Sequence, residues 1–565
     1  MSARPKTTAW GVFGRASAAV LLATCLIALA QPVYAFQARL DSFDASESTI
    51  ASVHDALMSG TASCRDIVSS FIARIEAFNP TINAIMTLNP RALEIANLDM
   101  RLRVGNTTGK LFCVPVLLKD SFDATPMYTT GSSLALARNL PQADGPVVDA
   151  FRKEGAVILG KTSLHEMALE GISVSSLGGQ TINPYDHTRT PGGSSGGTGA
   201  AVAASFSVFG TGTDTMNSLR SPASANNLVS VRPTRGLISR SGVIPVSHTQ
   251  DTIGPIARTI DDLAVALTVM ASVGSDPSDN VTLMVPADER AKDYSENLHL
   301  GQLQGLRIGL LDGFWNHTGS DETTPVNRVM EETLGFLKGQ GVRIVNITDS
   351  IYNATRIGAA LDVQRYEYKE VLDAYLGSPG LEGDGPRSFA ELYASKKFFV
   401  LPYQYTFIQS ALYSSTRNES YKAALHGVNV LAQTLKDTFE ENQLSAIMYP
   451  EQRNLVVKLG SLSQVGRNGI LAALTGHPVV TIPAGFSTPT EDAPLGVPVG
   501  LELLGMPYSE DRLLQMAWQI THTRPLRRAP LFSQDMVEMS TYSTVPAIRP
   551  AKDNISPSYP IGVLS

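Results

Sequence analysis

The chain has 565 residues, 43% of them hydrophobic and 17% charged, a composition that buries a large core and excludes a disordered protein. Lys and Arg number 45 against 52 Asp and Glu, a net charge of -7 without a basic stripe, so nucleic acid is not expected as a partner. No internal repeat or linker interrupts the chain.

At the N-terminus Arg4, Lys6 and Arg15 precede an apolar run over residues 18–30, and Val33-Tyr34-Ala35 follows. This pattern predicts a signal peptide over residues 1–35, cleaved near Ala35, and hence a secreted protein. Thirteen residues fall short of the roughly 20 that span a bilayer, so no stable membrane insertion is expected. Removal takes away three cations and no acid, which brings the charge from -7 to -10. Cys25 leaves with the signal; Cys64 and Cys113 then either pair in an oxidising compartment or pack separately as small hydrophobes. Sequons at Asn106, Asn280, Asn316, Asn346, Asn353, Asn418 and Asn554 agree with a secreted glycoprotein.

Ser48-Thr49 can cap a helix that Gly60 ends. Cys64, Ile67, Val68, Phe71, Ile72, Ile75 and Phe78 then recur at i, i+3, i+4 and i+7, predicting a helix that stops at Asn79-Pro80. Apolar runs of strand length follow at 111–118, 156–160, 306–311, 342–347, 445–448, 479–482 and 499–504, with helical patterns between them. Near-continuous apolar strands alternating with helices predict an α/β fold, a large mixed sheet covered by helices on both faces, over residues 36–530. Beyond 530 the periodicity fades and Pro, Ser and Thr rise, so residues 531–565 read as a C-terminal surface tail.

Three segments carry chemistry. Cys113-Val114-Pro115-Val116-Leu117-Leu118-Lys119 is an apolar run ending in a lysine, and a lysine buried there loses its proton readily and becomes a base. The alternative is a lysine that reaches solvent past the strand end. Gly192-Gly193-Ser194-Ser195-Gly196-Gly197 lets the backbone turn tightly around two hydroxyls, and it lacks the G-K-[ST] of a phosphate loop. Gly212-Thr213-Asp214-Thr215-Met216-Asn217-Ser218 is a polar turn whose free amides could hold an oxyanion beside a serine, although Ser in a turn is usually only a turn residue.

Together VPVLLKD, GGSSGG and GTDT followed by Ser218 resemble the amidase signature family, and the 24 residues between Ser194 and Ser218 match its spacing. Further similar pieces extend the resemblance over roughly residues 48–528. It implies an amidase that cleaves a carboxamide C–N bond of a small-molecule substrate through an acyl-enzyme, with no cofactor and no metal. It also implies Lys119 as base, Ser194 on a cis peptide bond as relay and Ser218 as nucleophile. Main-chain N–H groups of Thr215, Met216, Asn217 and Ser218 would form the oxyanion hole, Ser195 would orient Ser194, and Asp214 and Arg220 would brace the loop. Many members have Gly-Gly where this chain has Met216-Asn217. Asn217 tolerates left-handed backbone, Met216 needs negative φ, and Met216 would narrow the pocket.

Two other readings fit parts of the pattern. Gly192-Gly193-Ser194-Ser195-Gly196 also satisfies the nucleophile elbow of an α/β-hydrolase-type esterase, but the polar, proline-broken segment before it is no buried strand. A catalytically impaired amidase-like binding protein would account for Met216-Asn217 while leaving the three chemical groups in place. A transamidating protein of the same family that works on charged tRNA is disfavoured by the acidic balance. Pocket walls are expected from about 355 to 430, and the sequence carries no signal for an oligomeric state.

Overall fold

The computed structural model describes residue 1 and residues 43–102, 109–290, 292–532, 537, 542–555 and 559. The expected signal peptide lies outside these residues, Met1 apart, as does the sequon at Asn106.

Two helices open the described chain. Helix α1 (Ile50–Ser59) starts at Thr49, whose side chain accepts from Ser52 N, and ends at Gly60 with φ 72°. Helix α2 (Cys64–Ile82) is capped by Ser63 and Asp66 and buries its apolar stripe. It does not stop at Asn79-Pro80 as expected. Pro80 sits exposed in the last turn, and Asn83 closes the helix in the left-handed region, its N–H donating to the Asn79 carbonyl at 2.7 Å. Asn79 Oδ1 then accepts from the next two free amides, Ala84 N and Ile85 N, at 2.9 and 3.0 Å. The Asn79 side chain thus satisfies the amides that follow the helix end.

The fold is α/β, built on an 11-stranded mixed sheet with helices on both faces. Its strands are β1 (Ile85–Leu88), β2 (Pro115–Lys119), β3 (Val157–Thr162), β4 (Phe209–Asp214), β5 (Val229–Arg232), β6 (Thr252–Ala257), β7 (Arg307–Leu311), β8 (Arg343–Ile347), β9 (Ala446–Pro450), β10 (Val479–Phe486) and β11 (Pro498–Leu504). Their order in space is β1-β3-β2-β4-β6-β5-β10-β11-β9-β7-β8. The seven apolar runs fall on β2, β3, β7, β8, β9, β10 and β11, whereas β1, β4, β5 and β6 lie outside them. Cys113 is not inside a strand; it lies in the turn before β2 with φ 60° and is bridged to Cys64.

What positions the site is the parallel pairing of β2 with β4, Val116 opposite Phe209 and Leu117 opposite Gly210. Both strands end at one edge of the sheet, β2 on Lys119 and β4 on Asp214. Helix α3 (Gly196–Ala203) packs over them closely: a Cβ on Gly197 would stand 2.2 Å from Ser163 O, and one on Gly210 would stand 2.6 Å from Thr198 Cγ2. These glycines let helix and sheet meet.

Residues beyond 530 form neither helix nor strand where they are described. Phe532 stacks on Phe78 at 4.5 Å, Asn554 exchanges two hydrogen bonds with the main chain of Gln180, and the buried Tyr559 donates to Gln180 Oε1 at 2.7 Å. Gln180 Nε2 in turn donates to the carbonyls of Ile172, Ser173 and Thr181, and Ser173 Oγ donates to Gly192 O at 2.7 Å. Among the described residues no helix is long and apolar enough to cross a membrane.

Candidate active site

Lys119 is fully buried at the end of β2. Its Nζ donates to Ser194 Oγ at 2.8 Å and to Thr213 Oγ1 at 2.6 Å. Burial lowers its pKa from 10.5 to about 7, against the opposing pull of Asp214 and Asp251, so an uncharged amine is available near neutrality. The lysine next door on β3 is differently placed: Lys161 Nζ donates to Phe122 O at 2.7 Å and Tyr128 O at 3.1 Å and reaches Asp120 at 3.4 Å, so it ties loops together.

Ser194 follows a cis Gly193–Ser194 peptide bond and precedes α3. No strand leads into it, and its carbonyl accepts from His165 N at 3.0 Å while the His165 ring contacts Gln404 at 2.7 Å. The elbow of an α/β-hydrolase, with a histidine on the serine hydroxyl, is therefore not what surrounds Ser194. Ser195, expected to orient Ser194, turns its hydroxyl to the neighbouring strand. Its Oγ meets the main chain of Thr213 at 3.3 and 3.4 Å, because Gly212 offers no side chain there and a Cβ would lie 2.8 Å from that oxygen. Its N–H donates to Ser218 O at 3.3 Å, which joins the two serine loops.

The turn before Ser218 has an orderly polarity. Asp214 O accepts from Arg232 Nη1, Thr215 O from Gln250 Nε2, Met216 O from Arg220 Nη2 and Asn217 O from the N–H groups of Arg220 and Ser221. A planar trans peptide points each N–H opposite to the preceding carbonyl. The N–H groups of Thr215, Met216, Asn217 and Ser218 therefore each point away from the donor bound to the carbonyl just before, and among the described residues none of the four donates a hydrogen bond. Unmet amides on one turn are what a developing oxyanion requires.

Neither Met216 nor Asn217 has positive φ, so Asn217 is not in the left-handed conformation allowed for it. It is held through its side chain instead, Nδ2 donating to Glu451 Oε1 at 2.9 Å. Met216 packs against the apolar cluster that includes Phe314, Ile357 and Ile470. Ser218 is 7% exposed, and among the described residues its Oγ makes no hydrogen bond, to Ser194 or to any other group. The structure thus brings Lys119 and Ser194 together and leaves the second link, from Ser194 to Ser218, open.

A buried ion network braces the turn. Asp214 accepts from Leu219 N at 3.1 Å, Arg220 Nε at 3.0 Å and Arg232 Nη1 at 2.7 Å. Burial would raise its pKa, but the charges of Arg220 and Arg232 prevail and hold it at about 2. Arg220 also grips Glu502 with Nη1 at 3.1 and 2.9 Å. Asp214 and Arg220 brace the loop as expected; Thr213, Arg232, Gln250, Glu451 and Glu502 add to it and were not expected from the sequence. Thr213 lies inside the GTDT motif, whereas the others come from distant segments and carry no local signal.

A cavity of about 580 Å³ has Thr213, Thr215, Asp251 and Ile253 on its walls beside Val243 and Tyr375; Lys119, Ser194 and Ser218 do not line it. A second space of about 450 Å³ is lined by Leu361, Asp362, Tyr366, Phe407 and Ala424, within the segment expected to supply pocket walls. Leu361 packs on the same apolar cluster as Met216.

The family model described as Amidase matches residues 66–514. A probable amidase of Arabidopsis thaliana is 32% identical over 520 residues, 88% of this chain and 94% of that protein. A glutamyl-tRNA(Gln) amidotransferase component from Halorhodospira halophila is 32% identical over 492 residues, 83% of this chain and 96% of its own length. The solved structure of native peptide amidase from Stenotrophomonas maltophilia is similar with a TM-score of 0.74 and 30% identity, covering 86% of this chain and 99% of that one.

Proposed function

Since this chain belongs to the amidase signature family, we propose that it hydrolyses a carboxamide C–N bond of a small-molecule substrate, with Ser218 as nucleophile, Ser194 as relay and Lys119 as base. Ser218 Oγ attacks the carbonyl carbon while its proton passes through Ser194 to the uncharged Lys119 amine. The carbonyl oxygen takes up the negative charge and is held by the N–H groups of Thr215, Met216, Asn217 and Ser218. Collapse of the tetrahedral intermediate breaks the C–N bond. The departing nitrogen receives the same proton back through Ser194 and leaves as ammonia or an amine. Water then attacks the Ser218 ester under the same base and the carboxylic acid departs.

One observation carries this reading: three unpartnered amides precede a buried serine whose own N–H is a fourth, beside a lysine already bonded to the other serine at 2.8 Å. The open Ser194–Ser218 link is closed by substrate in this reading, since catalytic contacts tighten on binding. A fluorophosphonate probe tests it: stoichiometric labelling of Ser218, lost in Lys119→Ala, is the expected result. Folded protein that takes no label would instead support an amidase-like binding protein.

An amidotransferase-type activity is a second reading, favoured by the 32% identity to an amidotransferase component. The net charge of -7 without a basic stripe weighs against tRNA as the acceptor. Release of ammonia from a carboxamide by the isolated chain separates plain hydrolysis from a reaction that waits for a partner. We also read the chain as exported: the N-terminal pattern and the Cys64–Cys113 bridge support an oxidising compartment. N-terminal sequencing of the mature protein, with glycosidase treatment to reveal any glycans, checks it.

A further inference from the structure

Glu451 follows β9 and is fixed by its main chain, its N–H donating to Gly500 O and its carbonyl accepting from Asn468 N, both at 3.1 Å. Its side chain is fully buried, and Oε1 accepts from the side chain of Asn217, itself 1% exposed. Oε2 is buried with no hydrogen-bond partner. Asn217 is the residue just before the nucleophile, and its own N–H is one of the four unmet amides. Glu451 therefore touches the turn at the point where a small backbone rotation would swing that amide away.

The charges facing this carboxyl decide its state. Arg220 on α4 (Arg220–Ala225) is the nearest cation, but Asp214 on β4 and Glu502 on β11 already occupy its guanidinium. Arg232 on β5 is bound to Asp214, and the phenol of Tyr449 on β9 lies against Glu502. Glu451 is thus left without a counter-ion beside two acids. Burial first, and then the charge of Glu502, raise its pKa to about 8. An ionised carboxylate there would also stand next to the amides that must stabilise a second negative charge.

We propose that Glu451 is a positioning residue: its carboxyl holds the Asn217 side chain and so keeps the N–H groups before Ser218 aimed at the oxyanion, and its ionisation silences the site by setting a negative charge beside that oxyanion. The inference rests on the acyl-transfer reading of Ser218. It adds an alkaline limit to the acid limit that Lys119 imposes, so the site works best in a narrow range between the two.

The test is the rate of Ser218 labelling by a fluorophosphonate as a function of pH. In this reaction Ser218 Oγ displaces fluoride from phosphorus and its proton goes through Ser194 to Lys119. Wild type should slow toward tenfold per pH unit above about pH 8, on the ionisation of Glu451. Glu451→Gln keeps an acceptor for Asn217 and cannot ionise, so it should lose the alkaline limb and keep the acid limb. Glu451→Ala, which also cannot ionise, should lack the alkaline limb and label at least about tenfold more slowly than wild type at and below neutral pH, less than the roughly 10²–10³ of a deleted oxyanion donor because the amide is misaimed and not removed. A thermal melt shows whether each variant is folded. An unchanged alkaline limb in folded Glu451→Gln, or wild-type labelling in Glu451→Ala, overturns the proposal. If Ala does not fold, the limb in Gln alone decides. Wild type that never labels would instead sink the acyl-transfer reading, so the two failures are distinct.

Discussion

Replacing Lys119 by Met removes the proposed base while keeping most of the side-chain volume, and burial sets the size of the consequence. A pKa that falls from 10.5 to about 7 makes the ammonium roughly 5 kcal/mol harder to hold in the folded chain than in water. Between these pH values the unfolded chain carries a proton that the folded chain does not, so wild-type stability rises with pH. Below about pH 7 both states are protonated and the full penalty applies; above 10.5 neither is, and it vanishes. From pH 7 to 9.5 wild type should therefore gain about 3 kcal/mol of unfolding free energy relative to Lys119→Met, other titrating groups being shared by both proteins. Urea melts of the two proteins across that range measure the difference. The same ionisation governs chemistry: labelling of Ser218 in wild type should fall about tenfold per pH unit below 7, to about 1% of its plateau near pH 5. Lys119→Met should be more stable than expected for a core substitution at pH 6 and unreactive throughout. Parallel stability curves for the two proteins, or full wild-type reactivity at pH 5, would refute the claim that an uncharged amine is the base.

Arg220→Met strands the buried Glu502 and leaves Asp214 to Arg232 alone, and should cost about 3–5 kcal/mol, read from denaturant midpoints. It also frees the Met216 carbonyl, so any protein that folds should label slowly. Opening the Cys64–Cys113 bridge releases a loop with a sequence separation of 49, which the loop-entropy relation places at up to about 4 kcal/mol. The Cys64→Ala, Cys113→Ala double variant should melt earlier than oxidised wild type and match reduced wild type; identical melts would refute a stabilising role. Gly197→Ala drives a Cβ against Ser163 O and should destabilise by about 1–3 kcal/mol or unseat α3, with Ser218 labelling falling alongside.

Where burial alone shapes a segment, its residues announce it. Helix α2 writes its apolar stripe plainly, and seven strands show as continuous apolar runs because both faces of the sheet are covered. Strand β4 does not, because Phe209-Gly210-Thr211-Gly212-Thr213-Asp214 spends its small residues on the approach of α3 and Ser195 and so reads as a turn. Strand β6 hides for a related reason: Gly254 and Pro255 look like breakers, but its ladder with β5 covers only Ile256 and Ala257, so Pro255 stands outside it. At the site, the apolar run pointed to Lys119 and the glycines to Ser194, whereas Ser218, in a polar turn, stood out only through the family resemblance. Glu451 was not legible, since it meets Asn217 across 234 residues of sequence and follows its strand like any other residue. Gln250 is hidden in the same way, as one polar residue in a loop whose value lies in the carbonyl it reaches.

The clasp around Gln180 gives the last stretch of chain a bearing on chemistry far from it. Tyr559 and Asn554 steady Gln180, Gln180 steadies the strip from Ile172 to Thr181, and Ser173 in that strip grips Gly192 two residues before Ser194. A nick or trimming downstream of residue 530 would therefore loosen the loop that carries Ser194, the proposed relay. Shortening the chain there should show in the reactivity of Ser218 as well as in the melting curve, since Phe532 and Tyr559 also pack on the body.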